Sequence, residues 1–111
     1  MKRDYKLYLE DIRESIRLIE EYVGEITEEE FMENQQLYDA VVRRFEIIGE
    51  ASRNIPKSLK DKNKQVPWHD MTQLRDLISH SYFQMGIKKV WIAFTKELPQ
   101  IKESMKNIQL V

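Results

Sequence analysis

The chain contains two histidines, His69 and His80, and the second stands in a polar interruption of an otherwise apolar stripe, Arg75-Asp76-Leu77-Ile78-Ser79-His80-Ser81-Tyr82. An imidazole, with an unperturbed pKa of about 6.5, gives and takes protons near neutral pH. On a continuous α-helix Asp76 and His80 share a face, so the carboxylate can orient the imidazole and favour its charged form. On the same helix Arg75 stands roughly 140° around the axis from His80. One straight helix therefore does not bring cation and imidazole together. Either the helix ends near His80, or the site is built jointly with a second copy of the chain. These residue types suit RNA cleavage by the ribose 2′-hydroxyl, which needs a base for the attacking oxygen and a fixed cation for the charge that develops on the phosphate. The plainer reading is an Arg-Asp-His surface network that caps a helix end, with Tyr82 an interface aromatic.

The elements that position this segment are helical. Apolar residues recur at three and four positions, and only three glycines and three prolines punctuate the chain. Tyr5, Leu9, Ile12, Ile16, Ile19 and Val23 make one stripe, closed by Gly24. Thr27-Glu28-Glu29-Glu30 reads as a capping box at a new helix start. Leu37, Val41, Phe45, Ile48 and Ala51 continue as a second stripe, widened by Tyr38, Val42 and Ile55, until Pro56 ends it. Lys57 to Pro67 is polar and lysine-rich, a connecting loop or one short turn of helix. Trp68, Met71, Leu74 and Ile78 begin a third stripe. Ile87, Val90, Trp91, Phe94 and Leu98 form a fourth after a break at Gly86, and Pro99 opens a last short helix through Ile101, Met105 and Ile108. The expected fold is all-α: an antiparallel four-helix bundle with an additional short helix, formed by residues 1–111 as one domain.

Composition narrows the function classes. The 111 residues hold no cysteine, so neither a disulfide framework nor a thiolate metal site is available. Two histidines are too few for a histidine cluster, though carboxylates could still hold magnesium. No metal and no cofactor is expected. The charged opening Met1-Lys2-Arg3-Asp4-Tyr5-Lys6 lacks the apolar core of a signal peptide, and no apolar run approaches the roughly 20 residues that span a bilayer. A cytoplasmic protein with no membrane partner is the expectation. The net charge of −1 conceals an asymmetry: residues 1–33 carry five Lys and Arg against eleven Asp and Glu, and residues 34–111 carry thirteen against eight. Arg43, Arg44, Arg53, Lys57, Lys60, Lys62, Lys64, Lys88 and Lys89 could form the footprint of a polyanion or simply a solvated face.

Arg75, four intervening residues, His80, one residue and Tyr82 resemble the R-x4-H-x-Y signature of the HepT-like toxins of the HEPN superfamily, with Asp76 at the polar position after the arginine. Phe45-Glu46-Ile47-Ile48-Gly49-Glu50-Ala51-Ser52, Pro67-Trp68 and Val90-Trp91 resemble that family in order and spacing, as does the length. The resemblance implies a HEPN-like homodimer that brings two copies of the motif into a cleft as a metal-independent endoribonuclease site. Arg75, His80 and Asp76 would be catalytic there. It further implies a toxin–antitoxin system in which a minimal nucleotidyltransferase antitoxin binds the toxin and transfers AMP to Tyr82. That modification would put bulk and negative charge beside Arg75 and His80, where an RNA phosphate should sit. The alternative is a non-catalytic helical subunit that presents substrate to a nucleotidyltransferase; a purely structural dimerisation bundle would leave the polar motif without purpose. His69, beside Trp68 at a helix start, reads as structural. Glu50 is either a polar member of the cleft or part of a solvated face.

Overall fold

The computed structural model describes residues 3–77 and 83–110. Helix α1 spans Tyr5–Val23. Asp4 caps its start, accepting from the Lys6 N–H at 2.9 Å, and Gly24 ends it at φ 58°, a left-handed value that glycine adopts without strain. Its inward stripe, Leu9, Ile12, Ile16, Ile19 and Val23, is buried. The capping box is present: Thr27 Oγ1 accepts from the Glu30 N–H at 3.1 Å, and the Thr27 N–H donates to Glu30 Oε1 at 3.0 Å.

That box starts only a five-residue helix, α2 (Glu28–Met32). The periodicity of the apolar residues does not mark the break that follows. Asn34 supplies it, accepting from the Leu37 N–H at 3.0 Å and starting α3 (Gln35–Arg53). A polar side chain that satisfies a free amide makes a second N-terminus there. The short α2 carries the fully buried Phe31, whose ring lies 5.3 Å from that of Trp91 and 6.5 Å, edge-on, from that of Tyr38. Phe31 and Tyr38 are thus core, with Trp91 packed against them.

The lysine-rich stretch contains one short helix, α4 (Lys57–Lys62), and leads to α5 (Trp68–Gln73). Helix α5 passes directly into a 3₁₀ turn at Leu74–Asp76. Helix α6 (Phe83–Ile92), a π turn at Ala93–Glu97 and α7 (Leu98–Ser104) follow as one continuous run. One expectation is corrected here. Gly86 does not break the helix but lies buried within α6, where the lack of a side chain suits a packed position. Pro99 stands in the first turn of the short α7, as expected, although no break separates α7 from the run before it. Its ring would clash with the Thr95 carbonyl of a regular helix, and the π turn just before it widens the path, with the Leu98 N–H bonding to the Ala93 carbonyl.

Among the described residues the fold is all-helical, with α3 as its axis: α1, α2, α5, the 3₁₀ turn and α6 all pack on it. Helices α1 and α3 are antiparallel. Tyr8 shares a hollow with Glu50 and Ala51, whereas Glu14 is near Arg44. Helix α7 runs antiparallel to α1, with Lys102 paired to Glu20 at 3.0 Å and Arg13 donating to the Met105 carbonyl at 3.4 Å. Among the described residues three long helical runs therefore make the bundle, and the third expected helix is represented by the short α5 and its 3₁₀ turn, with its last stripe residue, Ile78, outside the described residues. No described helix is long and apolar enough to cross a membrane.

One buried polar residue fastens the end of the chain. Asn63 is fully buried; its amide donates to the Leu59 carbonyl at 2.9 Å and the Gln109 carbonyl at 2.8 Å and accepts from the Gln109 N–H at 2.7 Å. Its own carbonyl accepts from the Trp68 indole at 3.0 Å. Asn63→Ala leaves buried partners unpaired and is expected to cost about 2–4 kcal/mol in urea unfolding. A loss below about 0.5 kcal/mol would show that water replaces the amide at no cost.

Candidate active site

Arg75 lies in the 3₁₀ turn, between the buried Leu74 and the exposed Asp76. Leu74 anchors the turn in the core. What sets its depth is Gly49 of α3, because a Cβ there would lie 2.5 Å from the Arg75 amide nitrogen, 2.9 Å from its Cβ and 3.1 Å from its Cα. Side chains do not approach backbone that closely, so only glycine permits this contact. Glycine within a helix costs about 1 kcal/mol relative to alanine, and the close packing of turn on helix offsets it.

The next residue on α3 reaches the arginine side chain. Glu50 Oε2 stands 3.5 Å from Arg75 Nη1, and Asp76 Oδ2 stands 3.5 Å from Arg75 Nε. Both distances are at the long end for a hydrogen bond. The Glu50 and Asp76 side chains are more than half exposed, while that of Arg75 is one-third exposed. Exposed pairs of this kind contribute about 0–1 kcal/mol each. The guanidinium is therefore held between two carboxylates by weak contacts, and an anion offering two oxygens at shorter range can take it from them.

The helix geometry assumed for the motif does not hold at its first residues. The α-helix ends at Gln73, and Arg75 and Asp76 belong to the 3₁₀ turn, so the angle read from an ideal α-helix does not describe them. Asp76 is beside Arg75. His80 and Tyr82, with Ser79 and Ser81, lie outside the described residues. Glu50, left open by the sequence, is at once exposed and an ion-pair partner of Arg75. Gly49 was missed as a positioning residue. Its only signal was a glycine where the helical stripe has no need of one. His69 is exposed, not core, and its Nε2 lies 3.2 Å from Gln73 Nε2. Among the described residues, no group of three or more His, Cys, Asp or Glu is arranged to hold a metal ion.

Comparison with known proteins points to a ribonuclease family. The model of the HepT-like ribonucleases matches residues 12–108. A "Probable ribonuclease HepT" of Thermococcus cleftensis is 40% identical over 109 residues, which cover 98% of this chain and 99% of that protein. A "Putative RNase" of Caldanaerobacter subterraneus subsp. tengcongensis is 37% identical over 101 residues, 91% of this chain and 90% of that protein. A "Gamma-glutamylcyclotransferase and putative RNase" of Methanocaldococcus jannaschii is 41% identical over 108 residues; the match takes in 97% of this chain and 49% of that protein, so the chain spans about half its length. No solved structure matches the chain. The chain belongs to the HepT-like ribonuclease family.

Gly49→Ala tests the positioning directly. The added methyl group forces the turn outward, and overpacking of this kind costs about 1–3 kcal/mol. RNA cleavage is expected to fall about tenfold or more with helical content unchanged, since small displacements of a positioned group carry losses up to about a hundredfold. Full activity in Gly49→Ala would show that the close approach does not position Arg75.

Proposed function

We propose that this chain is a metal-independent endoribonuclease and the toxin of a toxin–antitoxin pair. In this reading its active site lies at the cleft of a homodimer. The observation that carries the reading is the Arg75 guanidinium, held by weak contacts on a turn that Gly49 presses against α3, three residues ahead of the segment containing His80 and Tyr82. Family membership supports RNA as the substrate class. Arg75 binds the scissile phosphate and meets the charge that develops on it. His80 removes the proton from the 2′-hydroxyl or protonates the leaving 5′-oxygen, and Asp76 orients the charged groups. The 2′-oxygen forms a bond to phosphorus as the bond to the 5′-oxygen breaks, leaving a cyclic phosphate and a 5′-hydroxyl. The two-copy arrangement answers a chemical need, since the reaction uses both a base and an acid and the chain has a single histidine in the motif. Met85 and Ile92 are exposed and seven residues apart on one run, so they share a face that a second copy can cover.

The test compares wild type with His80→Ala on single-stranded RNA, with and without chelator. Wild type should sediment as a dimer and cut in both conditions, and His80→Ala should lose activity by about a hundredfold or more. Activity abolished by chelator and restored by magnesium would overturn the metal-free mechanism, and a strictly monomeric active protein would overturn the composite cleft.

Regulation is proposed at Tyr82. A partner nucleotidyltransferase with ATP and magnesium would join AMP to the phenolic oxygen and release pyrophosphate. The new phosphate competes with the RNA phosphate for Arg75, so cleavage should fall as modification rises. Tyr82→Phe should stay folded, escape modification and continue to cut RNA. Mass spectrometry that finds AMP equally on Tyr82→Phe would place the acceptor elsewhere.

A further inference from the structure

Beyond the Arg75 turn, the corner formed by the end of α3, α4 and the start of α5 encloses an open hollow of about 620 Å³. Its lining holds the cations Arg53, Lys60 and Lys64, the neighbouring His69, and the acids Asp61 and Asp70. Asp61 is engaged by Lys57 at 3.0 Å. No ion pair among the described residues engages Arg53, Lys60 or Lys64. Lys60 is only partly exposed, and burial pulls its pKa below the ordinary lysine value with no carboxylate opposing the shift. A partly desolvated ammonium without an anion is unfavourable in the free protein and becomes favourable when an anion arrives.

The hollow is built rather than incidental. Asn63 sits between Lys60 and Lys64, and its buried amide ties α4 to the C-terminal tail while its carbonyl holds the Trp68 ring that forms part of the floor. The backbone that carries the cations is therefore fixed before any ligand binds, which lowers the entropy lost on binding. The hollow is also in line with the active turn. Arg53 lies three residues beyond Glu50 on α3, so the two share a face about one turn apart. Thr72, on the hollow's edge, lies three residues before Arg75.

We propose that this groove is a second phosphate subsite that seats the backbone of the RNA strand adjoining the phosphate at Arg75. The inference rests on the ribonuclease reading and adds to it where the strand runs: from the Arg75 turn along the C-terminal end of α3 toward α4. The contacts are to phosphates, so they raise affinity for any sequence and leave the bond-breaking step unchanged.

The test uses the full chain with His80→Ala, which preserves the RNA, and a fluorescently labelled single-stranded oligoribonucleotide long enough to span both sites. One variant adds Arg53→Gln, Lys60→Gln and Lys64→Gln. A control with the same change in charge adds Lys6→Gln, Lys96→Gln and Lys106→Gln. The groove variant should bind about tenfold or more weakly, and the slope of log affinity against log salt should drop by about 2, at about 0.7 per phosphate contact on a single strand. The control should retain most of both. On the otherwise wild-type chain the groove substitutions should raise KM for long RNA and leave kcat unchanged. Equal losses in groove and control variants would reduce the effect to general charge and overturn the subsite. Unchanged RNA affinity with lost binding of a nucleotidyltransferase partner would give the groove to a protein and overturn it as well. If the parent protein neither binds nor cuts RNA, the ribonuclease reading fails first; if it does both and the groove substitutions change nothing, only the subsite fails.

Discussion

The missing side chain at Gly49 is the constraint from which the site follows. Helix α3 is surrounded by α1, α2, α5 and α6, and it buries large side chains such as Phe45 and Ile48, which hold packed backbones apart. At Gly49 the 3₁₀ backbone comes in far enough that a methyl group would meet the Arg75 amide. Packing interiors are dense and do not deform continuously, so the position of Arg75 is set by this contact and by the burial of Leu74 on the preceding residue.

A rigidly placed backbone with a loosely held side chain is a useful combination for binding phosphate. Glu50 and Asp76 keep the guanidinium near its working position at long range, and solvent weakens both pairs. A bidentate phosphate contact is stronger than either. In the proposed reading the carboxylates act as placeholders: they limit the conformations Arg75 explores without binding it tightly enough to oppose a substrate.

Much of this architecture was written in the sequence, but unevenly. The stripe from Leu9 to Val23, the Gly24 stop and the Thr27–Glu30 capping box each follow from local physics, and the structure has them. The second N-terminus at Asn34 rests on one hydrogen bond, from the Leu37 N–H to the Asn34 side chain; it is as local as the capping box, but no change in the apolar stripe marks it. Gly86 was misread because a glycine serves equally as a break and as a packed position inside a helix; only the neighbours decide. Asn63 looked like any loop residue, although its partners include Gln109, far away in the chain. For the site, residue types pointed to Arg75 and Asp76, but the change from α to 3₁₀ geometry after Gln73 and the approach on Gly49 arise from tertiary contact. Periodicity carries no record of either.

The charge asymmetry acquires a physical meaning once the helices are in place. A chain of net charge −1 is a weak candidate for a polyanion partner if its charges are spread evenly. They are not. On the acidic α1, Arg17 pairs with Glu14 and Glu21 at 2.7 and 2.8 Å, and Glu20 pairs with Lys102. Part of the negative charge is thus neutralised where it stands. Fields between exposed charges fade beyond roughly 8–10 Å at ordinary salt, so a strand lying along the end of α3 responds most to the charges within that distance. Arg53, Lys60 and Lys64, which make no ion pair among the described residues, therefore weigh more in recognition than the net charge of the chain.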